Sequence, residues 1–209
     1  MSASQLKFEF IVLFAITPIL VALFLPPKFV FIALFAITLF SLFLLNKTPD
    51  FNWRSLIQKR RKLKINFFMF YAVGCLALFS LITFLFIPKS LFVLPQNMPI
   101  LWLIIMLAYP IASVLPQELI FRPLFFSRYA SILPIGNRIT ILNAGAFSLV
   151  HLMYWNWIAL VVTFIGGLVL AHFYNKHRNF LDIVILHAIG GCIIFTTGAG
   201  RFFYSGAIQ

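Results

Sequence analysis

Residues 67–87 read FFMFYAVGCLALFSLITFLFI, twenty-one positions without a charged side chain. The hydrocarbon core of a bilayer is about 30 Å thick and takes ~20 helical residues to cross. This stretch is therefore long enough to span a membrane unaided. Runs of similar character fall at about Phe8–Leu25, Phe29–Leu45, Ile100–Leu115, Ile139–Tyr154, Trp157–Tyr174 and Phe180–Thr197. Seven spans of ~20 residues use ~140 positions, about two-thirds of the 209-residue chain. The composition agrees: 63% of residues are hydrophobic and 10% are charged, against about 25% charged in an ordinary soluble domain. A soluble enzyme is excluded. The expected fold is all-α, a polytopic transmembrane bundle of about seven to eight helices.

The remaining apolar stretch, Pro116–Phe126, contains Gln117, Glu118 and Arg122, with Pro110, Pro116 and Pro123 close by. It reads as a broken helix or a separate half-helix, because an interior proline removes an amide donor and collides with the preceding turn. No internal repeat or linker divides the chain. The expected organisation is a single membrane domain, with N-terminal helices and a basic segment (about 46–66) in residues 1–99 and the functional core in 100–209.

Sixteen Lys and Arg stand against four Asp and Glu, a net charge of +12. In a soluble protein that would suggest nucleic acid. Here the cations gather in loops between apolar runs, which points to orientation and to anionic lipid headgroups, with no nucleic acid as partner. Counting Lys and Arg loop by loop places the N-terminus in the cytoplasm. Twelve cations then fall inside, among them Lys59, Arg60, Arg61, Lys62, Arg128 and Arg178, three outside (Lys28, Lys89 and Arg201), and Arg122 is left at membrane depth. Trp155 and Trp157 fall at an outer turn, where an aromatic belt belongs. Residues 50–66 are basic and partly amphipathic and are expected to lie along the inner headgroups. Cys75 and Cys192 both sit inside apolar runs, so no disulfide framework is expected. The first apolar run has no cleavage-like site and reads as a retained helix, not a signal peptide.

An ionisable side chain in hydrocarbon is costly and marks a functional site by default. Glu9 and Asp50 lie near interfaces and read as solvated. Asp182 reads as a headgroup-level residue, and His172 and His177 as peripheral. Glu118, Arg122, His151 and His187 remain. At ~1.5 Å per residue from the nearest inner cations, Glu118 and His187 lie ~13–15 Å deep and His151 ~20 Å, a spread that helix tilt absorbs. One acid and two imidazoles on three separate helices reaching one depth is the most informative feature of the chain. Glu118 and Arg122, four apart, share a helix face and also fit a structural ion pair. Asn143, Phe147 and His151 repeat every four residues on another face.

These residues resemble the motifs of the CPBP family (CAAX proteases and bacteriocin-processing enzymes). Gln117-Glu118-Leu119-Ile120-Phe121-Arg122 is similar to its E-E-x-x-x-R motif, Phe147–His151 to F-x-x-x-H, and His187 sits where H-x-x-x-N is expected. The resemblance covers about Ile100–Thr197. It implies an intramembrane endopeptidase like the type II CAAX prenyl endopeptidases, in which a glutamate and the second-motif histidine activate a water and the third motif stabilises the oxyanion. Two positions depart from the pattern: Gln117 replaces the first glutamate, and Gly191 replaces the asparagine. A similar P-Q-E start occurs in a bacterial branch of the family.

The resulting expectation is an integral protein of a bacterial plasma (inner) membrane that hydrolyses peptide bonds of membrane-associated or lipidated protein substrates. Glu118 and His151 would polarise a water; His187, with Asn143, would hydrogen-bond the oxyanion. Arg122 would orient Glu118, and Gln117 would position the water or the substrate backbone. No cofactor is expected; the alternative is zinc held by Glu118, His151 and His187. Two other classes fit the residues: an inactive relative that binds peptides or proteins, as in bacteriocin immunity, and a small transporter relaying protons through the same three groups. Against the transporter, no inverted repeat is present.

Overall fold

The structure is a computed structural model that describes residues 2–58 and 63–203. Among these residues there are helices and no strands. Six helices are long and apolar enough to cross a membrane: α1 (Ala3–Phe24), α2 (Pro27–Asn46), α3 (Ile65–Phe86), α5 (Pro99–Arg128), α7 (Trp157–His177) and α8 (Phe180–Thr197). A single turn, α4 (Val93–Asn97), precedes α5, and α6 (Asn137–Leu149) ends in a 3₁₀ turn, Val150–Tyr154. The chain is an integral membrane protein, as its composition requires. The run at 139–154 is the one expected span outside the six, since α6 has only 13 residues before the chain tightens into the 3₁₀ turn.

The proline-rich stretch is neither broken nor a separate half-helix. It is the second half of α5, one helical run of 30 residues. Two π-helical segments, Pro110–Val114 and Ile120–Arg128, absorb the prolines. A wider turn removes the need for the hydrogen bond that proline cannot donate and gives its ring room. In α1 a π segment at Val12–Ile16 likewise precedes Pro18.

Helix ends are tied by short polar side chains. Ser2 and Gln5 form a reciprocal capping box on α1. The Asn156 side chain accepts from the Ile158 amide (2.9 Å) at the start of α7, and Asn179 from the Asp182 amide (3.3 Å) at the start of α8. Asp182 in turn accepts from the Leu63 amide (2.7 Å), which anchors the chain entering α3. Glu9 is only partly exposed and is not a free, solvated carboxylate. It pairs with Arg128 at the far end of α5 and accepts the Tyr129 hydroxyl (2.7 Å). Arg128 also reaches the Leu44 carbonyl (3.1 Å), so one guanidinium joins α1, α2 and α5.

The main core mixes early and late helices. Phe14, Leu44 and Leu45 pack with Phe121, Phe125, Phe147 and Leu186 in one cluster. The basic residues Lys59, Arg60, Arg61 and Lys62 lie outside the described residues. Cys75 and Cys192 are free thiols.

Candidate active site

α5 places Glu118 and Arg122 one turn apart on its inner face, and both side chains are completely buried. Arg122 Nε donates to Glu118 Oε2 (2.7 Å) and Nη2 to Oε1 (3.5 Å). Its Nη1 donates to Asn143 Oδ1, and the guanidinium lies 5.6 Å from the Phe147 ring centroid. Asn143, also fully buried, donates through Nδ2 to the Phe121 carbonyl (2.8 Å) in the widened part of α5. Each buried polar group therefore meets a partner of opposite hydrogen-bonding sense, which is what keeps such a cluster tolerable in an apolar interior.

α8 brings His187 to the same carboxylate. Its Nδ1 lies 2.7 Å from Glu118 Oε1. Because Arg122 holds Glu118 as an acceptor, His187 Nδ1 is the donor, and Nε2 points away from the acid toward Tyr109, whose hydroxyl is 3.4 Å distant. His151 stands in the 3₁₀ turn after α6. Its Nδ1 is 2.8 Å from the Phe147 carbonyl. A carbonyl only accepts, so Nδ1 bears the proton and the Nε2 lone pair is free. The Phe147 ring separates the two imidazoles, with centroids 5.0 Å from His151 and 5.5 Å from His187.

A cavity of about 540 Å³ opens beside this cluster. His151, His187, Gln117, Tyr109, Ser113 and Tyr154 contribute polar groups to its wall, with Tyr71, Thr17 and Thr163, and aliphatic and aromatic side chains supply most of the rest. Glu118, Arg122 and Asn143 stand behind the wall and do not line it. On one side the cavity runs into a cleft between α2 and the first part of α5. α2 packs along residues 110–128, whereas Pro99–Tyr109 leans on α8. Phe31 of α2 and Ile104 of α5 both line the cavity and are 65% and 56% exposed, so the opening is lateral, toward lipid.

The expected residues thus divide. Glu118, Arg122, Asn143 and His187 form one hydrogen-bonded chain. His151 joins it only through Phe147. Glu118, expected to act on a water with His151, makes no hydrogen bond to it and spends both oxygens on Arg122 and His187. Asn143, expected beside the oxyanion, is turned the other way, because the Arg122 guanidinium and the Phe121 carbonyl claim its amide. The residue of the Gln117–Glu118 pair that faces the cavity is the amide. Gln117 Nε2 donates to Ser113 Oγ (2.8 Å), and its buried Oε1 has no partner. The zinc alternative does not fit. Among the described residues no group of three or more His, Cys, Asp or Glu is placed to hold a metal, and the Glu118 oxygens are engaged elsewhere.

Sequence reasoning missed Tyr109 and Ser113. With Gln117 they repeat every four residues along α5, and that spacing of polar positions inside an apolar run was the available signal.

A membrane-embedded helical bundle with a carboxylate–imidazole pair backing a lateral cavity is the class this geometry defines. Residues 98–193, just under half of the chain, match the family model of the type II CAAX prenyl endopeptidase Rce1-like proteins, a protease family. The family resemblance drawn from the three motifs is borne out by that match. No curated protein and no solved structure matches the chain.

Proposed function

We propose that the chain is an intramembrane endopeptidase that hydrolyses peptide bonds of membrane-associated or lipidated protein substrates, with His151 and His187 as the groups that meet the substrate. The observation that supports this reading best is the 2.7 Å contact between His187 Nδ1 and the buried Glu118 carboxylate, behind a cavity wall that also contains His151. His151 Nε2 takes a proton from water as the water oxygen bonds to the peptide carbonyl carbon and the carbonyl electron pair moves onto oxygen. Collapse of that intermediate breaks the C–N bond, and His151 returns the proton to the departing nitrogen. His187, when it holds a second proton, presents Nε2–H to the oxyanion, while Glu118 balances its charge from the other side. Arg122 and Asn143 hold Glu118 in place. Gln117 Oε1, a buried acceptor without a partner, suits a substrate amide. The lateral cleft admits an apolar chain, whether a transmembrane segment or a lipid tail.

The functional core comprises residues 100–209, with residues 1–99 supplying helices around it. The host membrane is a bacterial plasma membrane with the N-terminus on the cytoplasmic side.

One observation favours a second reading, binding without cleavage: the cavity wall presents the Gln117 amide, and the carboxylate is enclosed. Purified protein in liposomes, given a quenched fluorogenic peptide ending in farnesylated Cys-aliphatic-aliphatic-X and its unprenylated counterpart, separates the two. Hydrolysis requires cleavage of at least one peptide, lost by ~10²-fold or more in His151→Ala with unchanged thermal unfolding, and lost likewise in Glu118→Gln assayed below its own unfolding temperature. Saturable binding without cleavage by the wild-type protein establishes the second reading.

A further inference from the structure

The third-motif position at 191 offers no side chain, yet the space in front of it is filled. A Cβ built on Gly191 would overlap Cε1, Cζ and the hydroxyl oxygen of Tyr109. The phenol of α5 therefore lies flat against the backbone of α8, at a place where any side chain would expel it. Phe195, one turn further along α8, meets the same ring edge-on at 5.2 Å between centroids. The ring is thus held by two residues of α8, and its hydroxyl is delivered to the cavity wall beside His187 Nε2, 3.4 Å away. That separation is long for a hydrogen bond between the two. Two donors this close can converge on one oxygen that stands in front of both, on the cavity side.

We propose that Tyr109 is a catalytic residue whose hydroxyl, together with His187 Nε2, donates a hydrogen bond to the carbonyl oxygen under attack, and that the bare backbone of Gly191 is what lets it stand there. The inference rests on the hydrolytic reading above. A neutral phenol can donate without a charge change during the reaction, and inside a water-poor cavity a preset donor acts on the developing oxyanion more strongly than it would in water. The donor comes from α5 and the imidazole from α8, so the oxyanion site exists only where these two helices touch. Trp102 Nε1 reinforces that contact by donating to Thr196 Oγ1 (3.0 Å), about two turns from Tyr109 along α5.

The test uses the full-length protein in liposomes with the same two peptides. Tyr109→Phe removes one oxygen and retains the ring against Gly191 and Phe195. The expected result is a fall in kcat of ~10²-fold, the loss typical of one oxyanion donor, with KM and thermal unfolding unchanged. Gly191→Ala retains the hydroxyl but displaces the ring, and lowers kcat comparably; adding Tyr109→Phe to it produces little further loss, because both act on one donor. If Gly191→Ala does not fold, Tyr109→Phe decides alone. A Tyr109→Phe enzyme with wild-type kcat, alongside an inactive His151→Ala, overturns the assignment of Tyr109 and leaves the hydrolytic reading intact. A wild-type protein inert toward both peptides removes that reading, and the role of Tyr109 falls with it.

Discussion

Glu118 and Arg122 show how a charge is made tolerable at membrane depth. The guanidinium spends Nε and Nη2 on the carboxylate and Nη1 on Asn143, and its face rests near Phe147. Such a pair contributes modestly compared with an apolar pair of equal volume, but removing one partner strands the other in a medium that cannot solvate it. Arg122→Met is therefore expected to destabilise the protein by about 3–5 kcal/mol, measured by thermal unfolding in micelles. Glu118→Gln is also destabilising, since it leaves the Arg122 charge without its counter-charge and turns an amide NH2 toward either Arg122 Nε–H or His187 Nδ1–H. The double variant Glu118→Met/Arg122→Met recovers most of the lost stability and stays inactive. This pattern separates the pair's part in folding from Glu118's part behind His187. A double variant no more stable than Arg122→Met would show that the cluster depends on more than mutual compensation.

Among elements, the helices were legible in the sequence because hydrocarbon imposes one length and one polarity on whatever crosses it, and 67–87 or 157–174 satisfy both without reference to the rest of the chain. The continuity of α5 was not legible. Three prolines argue locally for a break, and only packing on both flanks makes two widened turns cheaper than an interruption. The candidate site was legible as a set of ionisable residues, Glu118, His151 and His187, that are costly at membrane depth. Its orientation was not: whether Gln117 or Glu118 faces the cavity depends on the turn of α5 after Pro116, and the reach of Arg128 to Glu9 crosses 119 residues. That second contact decides how the bundle closes at one end. Burial first, and then the Glu9 carboxylate, hold the Tyr129 phenol above its ordinary range, so it remains a donor to Glu9 at neutral pH. Arg128→Ala removes the link among α1, α2 and α5 and leaves Glu9 with the phenol alone. The expected loss is ~3 kcal/mol, with earlier proteolytic release of α1; Glu9→Gln, which still accepts from Tyr129, is milder. An Arg128→Ala protein as protease-resistant at its N-terminus as wild type would show that apolar packing alone seats α1.

On the scale of the whole molecule the two ends of the bundle differ. Glu9, Arg128, Thr48, Leu63, Asp182 and Arg178 gather at one end. At the other, Arg201 donates to Ser90 (2.7 Å), Trp155 Nε1 to the Ala22 carbonyl (3.1 Å), and Phe86 meets Trp157 edge-on at 5.9 Å. Trp155 and Trp157 are both largely exposed there, as anchors at a headgroup boundary would be. The cavity does not sit midway between the ends. Its wall includes Val21, Pro27, Met153 and Tyr154, which belong to the tryptophan-bearing half, and no residue of the Arg128 cluster. If the cation-rich end is cytoplasmic, water and the scissile peptide reach His151 and His187 from the opposite side or from the lipid of that leaflet. The geometry then favours substrates presented on the outer half of the membrane over soluble cytoplasmic tails. Single cysteines in a background of Cys75→Ser and Cys192→Ala test this in intact bacteria with a membrane-impermeant maleimide. Lys28→Cys and Met153→Cys are expected to label without permeabilisation, and Arg178→Cys only after it. Labelling of Arg178→Cys in intact cells would invert the orientation and, with it, the side from which substrate arrives. A Met153→Cys protein that labels under neither condition would mean that the cavity stays closed to water at that mouth, leaving the cleft between α2 and α5 as the route to the imidazoles.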